Sequence, residues 1–423
     1  MLTRMQRMIG WGRAEAVAVH SLGSGARGDV MIADEQLSRL VAPRPRWVPP
    51  ERFDLTRASD RARVDRYLAE GRISCVRDEA GLMAESLCAV ALPSARPGDQ
   101  ARARFVEEIL CQGERYGRWV LFPWSGELVH YPDAADLRRL LTARNRNLIT
   151  EMEQQLLADA VVMVVGMSVG SHVAASLAMT GVGGRLVLVD GDLIEPTNLN
   201  RLAADVGDLG VAKVDRVAMR VSAIDPYLEL VVHRHPLDDV GLRALVEAHR
   251  PQIIFDEVDS LQLKAAIRFE AKRSRVATIA AGDIGDRSIV DVERHDLGNV
   301  QPFNGRFRPR DLEHLLAGDY SMASARPMMR LIGLRHVSAR LADSYLALGA
   351  ELSGVPQLGT TALVGGAVAA VAARELILGR RLRSGRYVVA IDRLLRLQSS
   401  VDGAFRARVA WRALRRYLRQ GDG

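Results

Sequence analysis

The densest apolar signal lies between residues 141 and 300, where short β-branched runs alternate with longer segments of helical period. Val161–Val165 is an unbroken apolar run, as expected of a parallel strand covered on both faces. Gly166-Met167-Ser168-Val169-Gly170-Ser171 follows at once. Residues 172–180 then carry alanines and a leucine at helical spacing, and Arg185–Val189 is a second strand that ends at Asp190. Strand, glycine turn, helix, strand, acid is the order of a dinucleotide-type βαβ unit. The alternation continues with a helix over 212–224, a strand over 228–233 and a helix over 240–249. A strand over 252–255 ends in Asp256-Glu257-Val258-Asp259, and a helix over 261–275 and a strand over 277–281 follow. This pattern predicts an α/β fold: a mostly parallel sheet with helices on both faces.

The flanks are less regular. In residues 1–140, Pro43, Pro45, Pro49 and Pro50 punctuate a linker. Residues 57–68 predict a charged helix and 80–92 a helix with an apolar face. The run 119–123 suits a buried strand, with 128–131 as its partner. An α+β accessory domain is expected here, a candidate for substrate recognition. Residues 301–423 predict helices over 309–316, 330–348 and 361–378, a short strand over 387–392, and a basic helix over 406–419 whose arginines face solvent. They are expected to complete the central fold as a mainly helical extension. Residues 352–373 carry no charge, but Ser353, Gly354, Pro356, Gln357, Gly359, Thr360 and Thr361 break the stretch. It reads as a buried small-residue helix rather than a membrane span.

Composition narrows the possibilities. The 423 residues are 48% hydrophobic and 26% charged, which suits a globular chain and excludes wholesale disorder. The net charge of +7 is carried almost wholly by arginine, since lysine occurs only at Lys213, Lys264 and Lys272. No compact basic block with interleaved aromatics is present, so no nucleic-acid partner is expected. Arg4, Arg7 and Arg13 precede no uninterrupted apolar run, which argues against a signal peptide. Cys75, Cys88 and Cys111 form neither a disulfide framework nor a CxxC pair. They read as small buried hydrophobes in a reducing, cytoplasmic setting.

The candidate chemistry gathers after the first two central strands. Gly166 and Gly170 would let backbone N–H groups approach a phosphate, while Ser168 stands where a strict GxGxxG has its second glycine. Tight packing of strand on helix would demand the same small residues. Asp190 is placed to accept from ribose hydroxyls, and Asp192 could serve the ribose, a metal or only a turn. Arg201 and Lys213 could neutralise a triphosphate, and Asn198 could hold a phosphate oxygen or a metal-bound water. Asp259 could hold Mg²⁺ between triphosphate oxygens or merely cap a helix, and Asp256, three residues earlier, is equally acidic. The turn and Asp190 alone also allow an NAD(P)-dependent oxidoreductase, which leaves Arg201 and Lys213 unexplained. A non-catalytic nucleotide-binding scaffold is a further alternative.

The segment 141–290 resembles the ThiF/MoeB/HesA superfamily, the ubiquitin-activating-enzyme-like adenylyltransferases. The resemblance rests on NRNLIT, VVMVVGMSVGSHVA, LVLVDGDLIEPTNLNRL, DLGVAKVDR with AIDP behind it, and FDEVD. It implies a Rossmann-like fold that binds ATP and Mg²⁺ and converts a carboxylate into an acyl-adenylate with release of pyrophosphate. The carboxylate would be the C-terminus of a ubiquitin-like protein or precursor peptide, or a small acid. By resemblance Asp190 binds the ribose, Asn198, Arg201 and Lys213 the phosphates, and Asp259 the Mg²⁺. Arg146 matches an arginine that family homodimers insert into the neighbouring site, so a homodimer is expected. Three departures stand out. The turn is poorer in glycine than the family's. Without CxxC pairs no structural zinc is expected. With no cysteine after Cys111, a thioester step lacks its nucleophile in this chain. His233 and His235 form an HxH that reads as a solvated face.

Overall fold

The computed structural model describes residues 43–298, 300–318, 331–333, 336–337, 339–348, 350–395 and 412. The basic segment 406–419, apart from position 412, and Arg4, Arg7 and Arg13 lie outside the described residues, as does part of the helix expected over 330–348.

Two sheets organise the described chain. The first holds β1 (Glu51–Phe53), β2 (Cys75–Asp78), β3 (Arg118–Phe122) and β4 (Glu127–Tyr131), in the order β1-β3-β4-β2. The expected pairing of the two apolar runs is realised as the antiparallel pair β3–β4. The helices Ala58–Ala69, Ala80–Ala91, Gln100–Leu110 and Ala134–Leu141 accompany this sheet. Phe53, Val64, Tyr67, Ile73, Leu121 and Leu128 form one of its small cores. Of the three cysteines only Cys88 is fully buried; Cys75 is half-buried and Cys111 is exposed at a helix end, where no packing surface covers it.

The second sheet has seven strands, β5 (Val161–Val165), β6 (Arg185–Val189), β7 (Glu229–His233), β8 (Ile253–Asp256), β9 (Ala277–Ile284), β10 (Arg287–Glu293) and β11 (Gly385–Ala390). Their order is β11-β10-β9-β8-β5-β6-β7. Strands β5 to β9 pair in parallel, as the apolar runs predict. Strand β10 is an addition to the pattern: it folds back on β9 as an antiparallel hairpin, and β11 pairs with it in turn. Alternate residues of the strands serve the two faces. Val162, Val164, Leu186, Leu188, Phe255 and Ile279 pack under the helices Val169–Met179, Lys213–Ile224 and Gly359–Ile377. Met163, Val165, Val187, Val189 and Ile254 pack under Asp239–His249 and Leu261–Ser274.

Helix Gly359–Ile377 is long and apolar enough, by length and composition, to cross a membrane, yet half of its apolar window is buried here. Two glycines permit the close approach. A Cβ at Gly366 would stand 2.5 Å from the His172 Cβ, and one at Gly359 2.2 Å from the Asn200 carbonyl oxygen.

The chain direction decides where a ligand can sit. From β5 the chain moves to β6 and β7 on one side, then returns to place β8 on the other. The strand order therefore reverses between β5 and β8. Loops leaving their carboxyl ends part there and open a crevice.

Candidate active site

The turn after β5 forms one wall of that crevice. Gly166 adopts φ +93°, and a Cβ there would fall 2.4 Å from the Glu257 carbonyl oxygen, so only glycine lets the two loops meet. Asp190 at the end of β6 accepts hydrogen bonds from the Met167 N–H at 2.6 Å and the Asp192 N–H at 2.7 Å. One carboxylate thus ties together the loops after β5 and β6 and still has lone pairs to accept from hydroxyls. Burial raises its affinity for a proton, and the two N–H donors and Lys213 oppose that.

Lys213 opens the helix Lys213–Ile224. Its N–H donates to the Asp192 carbonyl oxygen at 2.9 Å, and its Nζ meets Asp192 Oδ2 at 2.9 Å. Arg201 donates from Nε to Ser168 Oγ at 3.1 Å and from a terminal nitrogen to the Thr197 carbonyl oxygen at 3.0 Å. His172, buried on the helix that begins at the turn, is bonded through Nε2 to the Arg201 carbonyl oxygen at 2.6 Å. A cation is thereby held against the serine of the glycine turn.

The opposite wall comes from the segment after β8. Ser260, not Asp259, caps the next helix, accepting from the Leu263 N–H at 3.2 Å. Asp256 is sealed inside, paired with Lys264 at 3.2 Å and with Arg268, and those cations hold it below the usual carboxylate range despite the opposing effect of burial. Asp259 remains facing the cavity. Gly166, Ser168, Asp190, Asp192, Lys213 and Asp259 all line this one space of about 680 Å³.

A family model described as the ThiF family matches residues 142–393. The chain belongs to the ThiF family. An uncharacterized protein of Mycobacterium tuberculosis is 34% identical over 286 residues, 66% of this chain and 39% of that protein. The tRNA threonylcarbamoyladenosine dehydratase of Escherichia coli is 33% identical over 143 residues, 33% of this chain and 52% of the enzyme. A crystal structure of that enzyme with ATP aligns with 57% of this chain and 95% of its own, at 21% identity and a TM-score of 0.41. The matched region thus spans about half or less of the length of these curated relatives.

Within this ThiF-family chain not every expected site residue reaches the cavity. Arg201 touches Ser168 of the lining but does not itself line the space. Gly170 is buried beneath it, where a Cβ would meet Val164 at 2.9 Å, so its smallness serves helix-on-strand packing. Asn198 is buried in a short 3₁₀ turn, its Oδ1 accepting from the Glu195 N–H at 3.1 Å. It shapes the loop that carries Arg201. Arg146 is exposed on the segment before the helix Glu151–Ala158 and does not line its own chain's cavity.

Two buried acidic groups escape the sequence reading: Glu257, which lines the cavity, and Asp283 on β9, which does not. Glu257, only 7% exposed, accepts from the Ala281 N–H at 2.9 Å through Oε1, while Oε2 is buried without a partner among the described residues. Both oxygens of Asp283 are likewise buried and unpartnered. Burial pushes Asp283 up to about 6, with Arg201 opposing and Asp259 adding to the rise, and burial lifts Glu257 well above its ordinary range. The sequence signal is the acidic run at 256–259 for the first and an acid at a strand end for the second. Neither pattern shows whether a partner exists.

The donor set suits a hard divalent cation, since it offers carboxylate oxygens with unused acceptor capacity. Among the described residues no group of three or more His, Cys, Asp or Glu side chains is arranged to hold a metal by itself. His233 and His235 stand with ring centroids 5.9 Å apart, and His235 reaches the rim of the cavity.

Proposed function

We propose that this protein is an ATP-dependent adenylyltransferase that activates a carboxylate as an acyl-adenylate. One observation carries the reading: Gly166, Asp190, Lys213 and Asp259 line a single cavity at the point where the strand order reverses. A nucleotide there would offer its ribose to Asp190 and its phosphates to the glycine turn, Arg201 and Lys213. Asp259 would hold Mg²⁺, which supplies charge neutralisation along the triphosphate. In the step itself a substrate carboxylate oxygen bonds to the α-phosphorus while the bond to the bridging oxygen breaks, and pyrophosphate carries that electron pair away. Arg201 and Lys213 steady the developing charge.

The substrate is proposed to be the C-terminus of a ubiquitin-like protein or precursor peptide, or a small acid, with the N-terminal sheet and its helices as the recognition module. No cysteine follows Cys111 in this chain, which supports resolution of the adenylate by an amine, a thiol or an internal nucleophile without a thioester on a downstream cysteine. A homodimer in which Arg146 enters the neighbouring cavity is part of the proposal. Exposed Met152 and Leu156, one turn apart on the helix Glu151–Ala158, and exposed Leu148 in the turn before it offer apolar surface for such a contact. Sedimentation at micromolar concentration should give a dimer.

Incubation with ATP, Mg²⁺, labelled pyrophosphate and a panel of peptide C-termini and small acids should give pyrophosphate exchange into ATP. Lys213→Ala and Asp259→Ala should each lower it at least about a hundredfold, the scale of losing one transition-state contact. Full exchange in both variants would defeat the reading. Tighter calorimetric binding of NAD than of ATP would favour an oxidoreductase instead.

A further inference from the structure

The segment that leads into the N-terminal sheet meets the central domain around the helix Lys213–Ile224. The Arg44 guanidinium lies against Gly210, three residues before Lys213, where a Cβ would fall 2.3 Å from Arg44 Cζ. Trp47 is buried and donates from Nε1 to Ser222 Oγ, on that helix, at 2.9 Å. The Trp47 carbonyl oxygen accepts from Arg234 at 2.7 Å. Only Val48, Pro49 and Pro50 then separate Trp47 from β1. The prolines fix their φ angles, so this tether is short and stiff.

Arg234 is the junction. It follows β7 directly, and its Nε donates to Asp215 Oδ1 at 2.8 Å while Nη2 meets the same oxygen at 2.7 Å. Asp215 is 3% exposed and lies in the first turn of the helix, two residues after Lys213. A carboxylate this buried depends on its cation, because removing the partner leaves an unpaired charge. His235, Pro236 and Leu237, which follow Arg234, line the nucleotide cavity, as Lys213 does. Pro236 is also pressed against the loop after β6, since a Cβ on Gly191 would stand 2.8 Å from the Pro236 nitrogen. One half-buried guanidinium therefore joins two cavity-lining segments to each other and to the tether of the N-terminal module. Undocking of the tether withdraws the Trp47 carbonyl and with it one of the bonds that fix Arg234.

We propose that Arg234 is a positioning residue that couples docking of the N-terminal module to nucleotide binding. With the Trp47 carbonyl in place, Arg234 holds residues 235–237 and the first turn of the helix Lys213–Ile224 in the one arrangement that walls the cavity. A nucleotide that uses this wall favours the docked tether, and the docked tether favours the nucleotide by the same factor. This rests on the nucleotide reading of the cavity and adds to it a physical route from the module proposed to recognise the substrate.

The test reads binding and exchange on the full chain, with the non-hydrolysable analogue AMPCPP and Mg²⁺. Calorimetry gives the affinity, and hydrogen–deuterium exchange with mass spectrometry follows residues 44–53. Saturating AMPCPP should slow exchange of that segment in the wild type about fivefold or more, the lower end of normal coupling between two sites. A role confined to stability would leave the segment indifferent to the analogue. In Arg234→Met the slowing should fall below about twofold and AMPCPP affinity should drop about fivefold. Arg234→Lys, which keeps a cation within reach of Asp215, should restore part of both. Trp47→Phe removes the Nε1 bond to Ser222 and leaves every charge paired, which guards against a folding defect in the methionine variant. It should weaken AMPCPP about twofold. Wild-type affinity in both Arg234→Met and Trp47→Phe, or exchange over 44–53 that ignores bound AMPCPP, would overturn this inference alone. Failure of the wild type to bind AMPCPP would overturn the nucleotide reading and this inference with it.

Discussion

Asp256 and Asp259 sit three residues apart at the end of the same strand. The first is enclosed by Lys264 and Arg268, and the second faces the cavity because Ser260 takes over the capping of the helix. In the sequence both are acids after an apolar run, and nothing in their spacing separates them. Lys213 is the opposite case, since a rare lysine in an arginine-rich chain stands out by composition alone. Glu257 and Asp283 are invisible in the sequence for a physical reason: their distinction is the lack of a donor, and that emerges only when β8, β9 and helix Gly359–Ile377 are packed together. An unpartnered buried carboxylate costs stability. Asp283→Asn, at neutral pH and without divalent cations, should therefore raise the melting temperature by about 1 °C, the shift produced by about 1 kcal/mol in a chain of this size. Differential scanning calorimetry in EDTA reads this directly, and a lower melting temperature would mean that Asp283 is already satisfied by its surroundings.

At the scale of the element, β5, β6 and β8 are legible because covered parallel strands are written as short, largely apolar runs, and β7 and β9 are legible from their place in the alternation with helices. Strand β10 is not, since Arg287–Glu293 mixes charged and apolar residues as a hairpin partner does. Helix Gly359–Ile377 is readable as a buried helix, but the function of its glycines as contact points is not. Gly366→Ala should place a Cβ against His172 and cost about 1–3 kcal/mol in urea unfolding, despite alanine's better helix propensity. Because His172 also supports the Arg201 loop, nucleotide affinity should fall with it. The helix Glu151–Ala158 allows a pH test. Glu153 is held down at about 2 by the Thr150 N–H first and by Arg380 next. A carboxyl depressed in the folded state stabilises above its ordinary value of 4.5, and the contribution is lost as pH falls from there toward 2. Glu153→Gln should flatten that part of the acid-unfolding curve and leave its slope above pH 5 unchanged.

On the scale of the whole molecule, the proline-punctuated segment read as a linker is fastened at its end to the central domain. Trp47, buried, donates from Nε1 to Ser222 Oγ at 2.9 Å, and Arg234 joins the Trp47 carbonyl oxygen to Asp215. Tyr227 donates to the Pro132 carbonyl oxygen at 2.6 Å from the other side. The two sheets are therefore tied at both edges of the accessory module. Trp47→Ala should cost about 3–5 kcal/mol and turn a single calorimetric transition into two, with the module around β1 to β4 melting first. One merged transition in that variant would mean that the other contacts suffice to couple the modules.

The scarcity of lysine has a practical corollary. Lys264 is shut in beside Asp256, and Lys272 is exposed near the far end of a helix whose first turn borders the cavity, roughly 16 Å away at 1.5 Å per residue. A nucleotide whose ribose has been oxidised to a dialdehyde would thus find a single side-chain amine within reach. Borohydride trapping followed by peptide mass mapping should then fasten the label to the peptide containing Lys213, and to no other lysine.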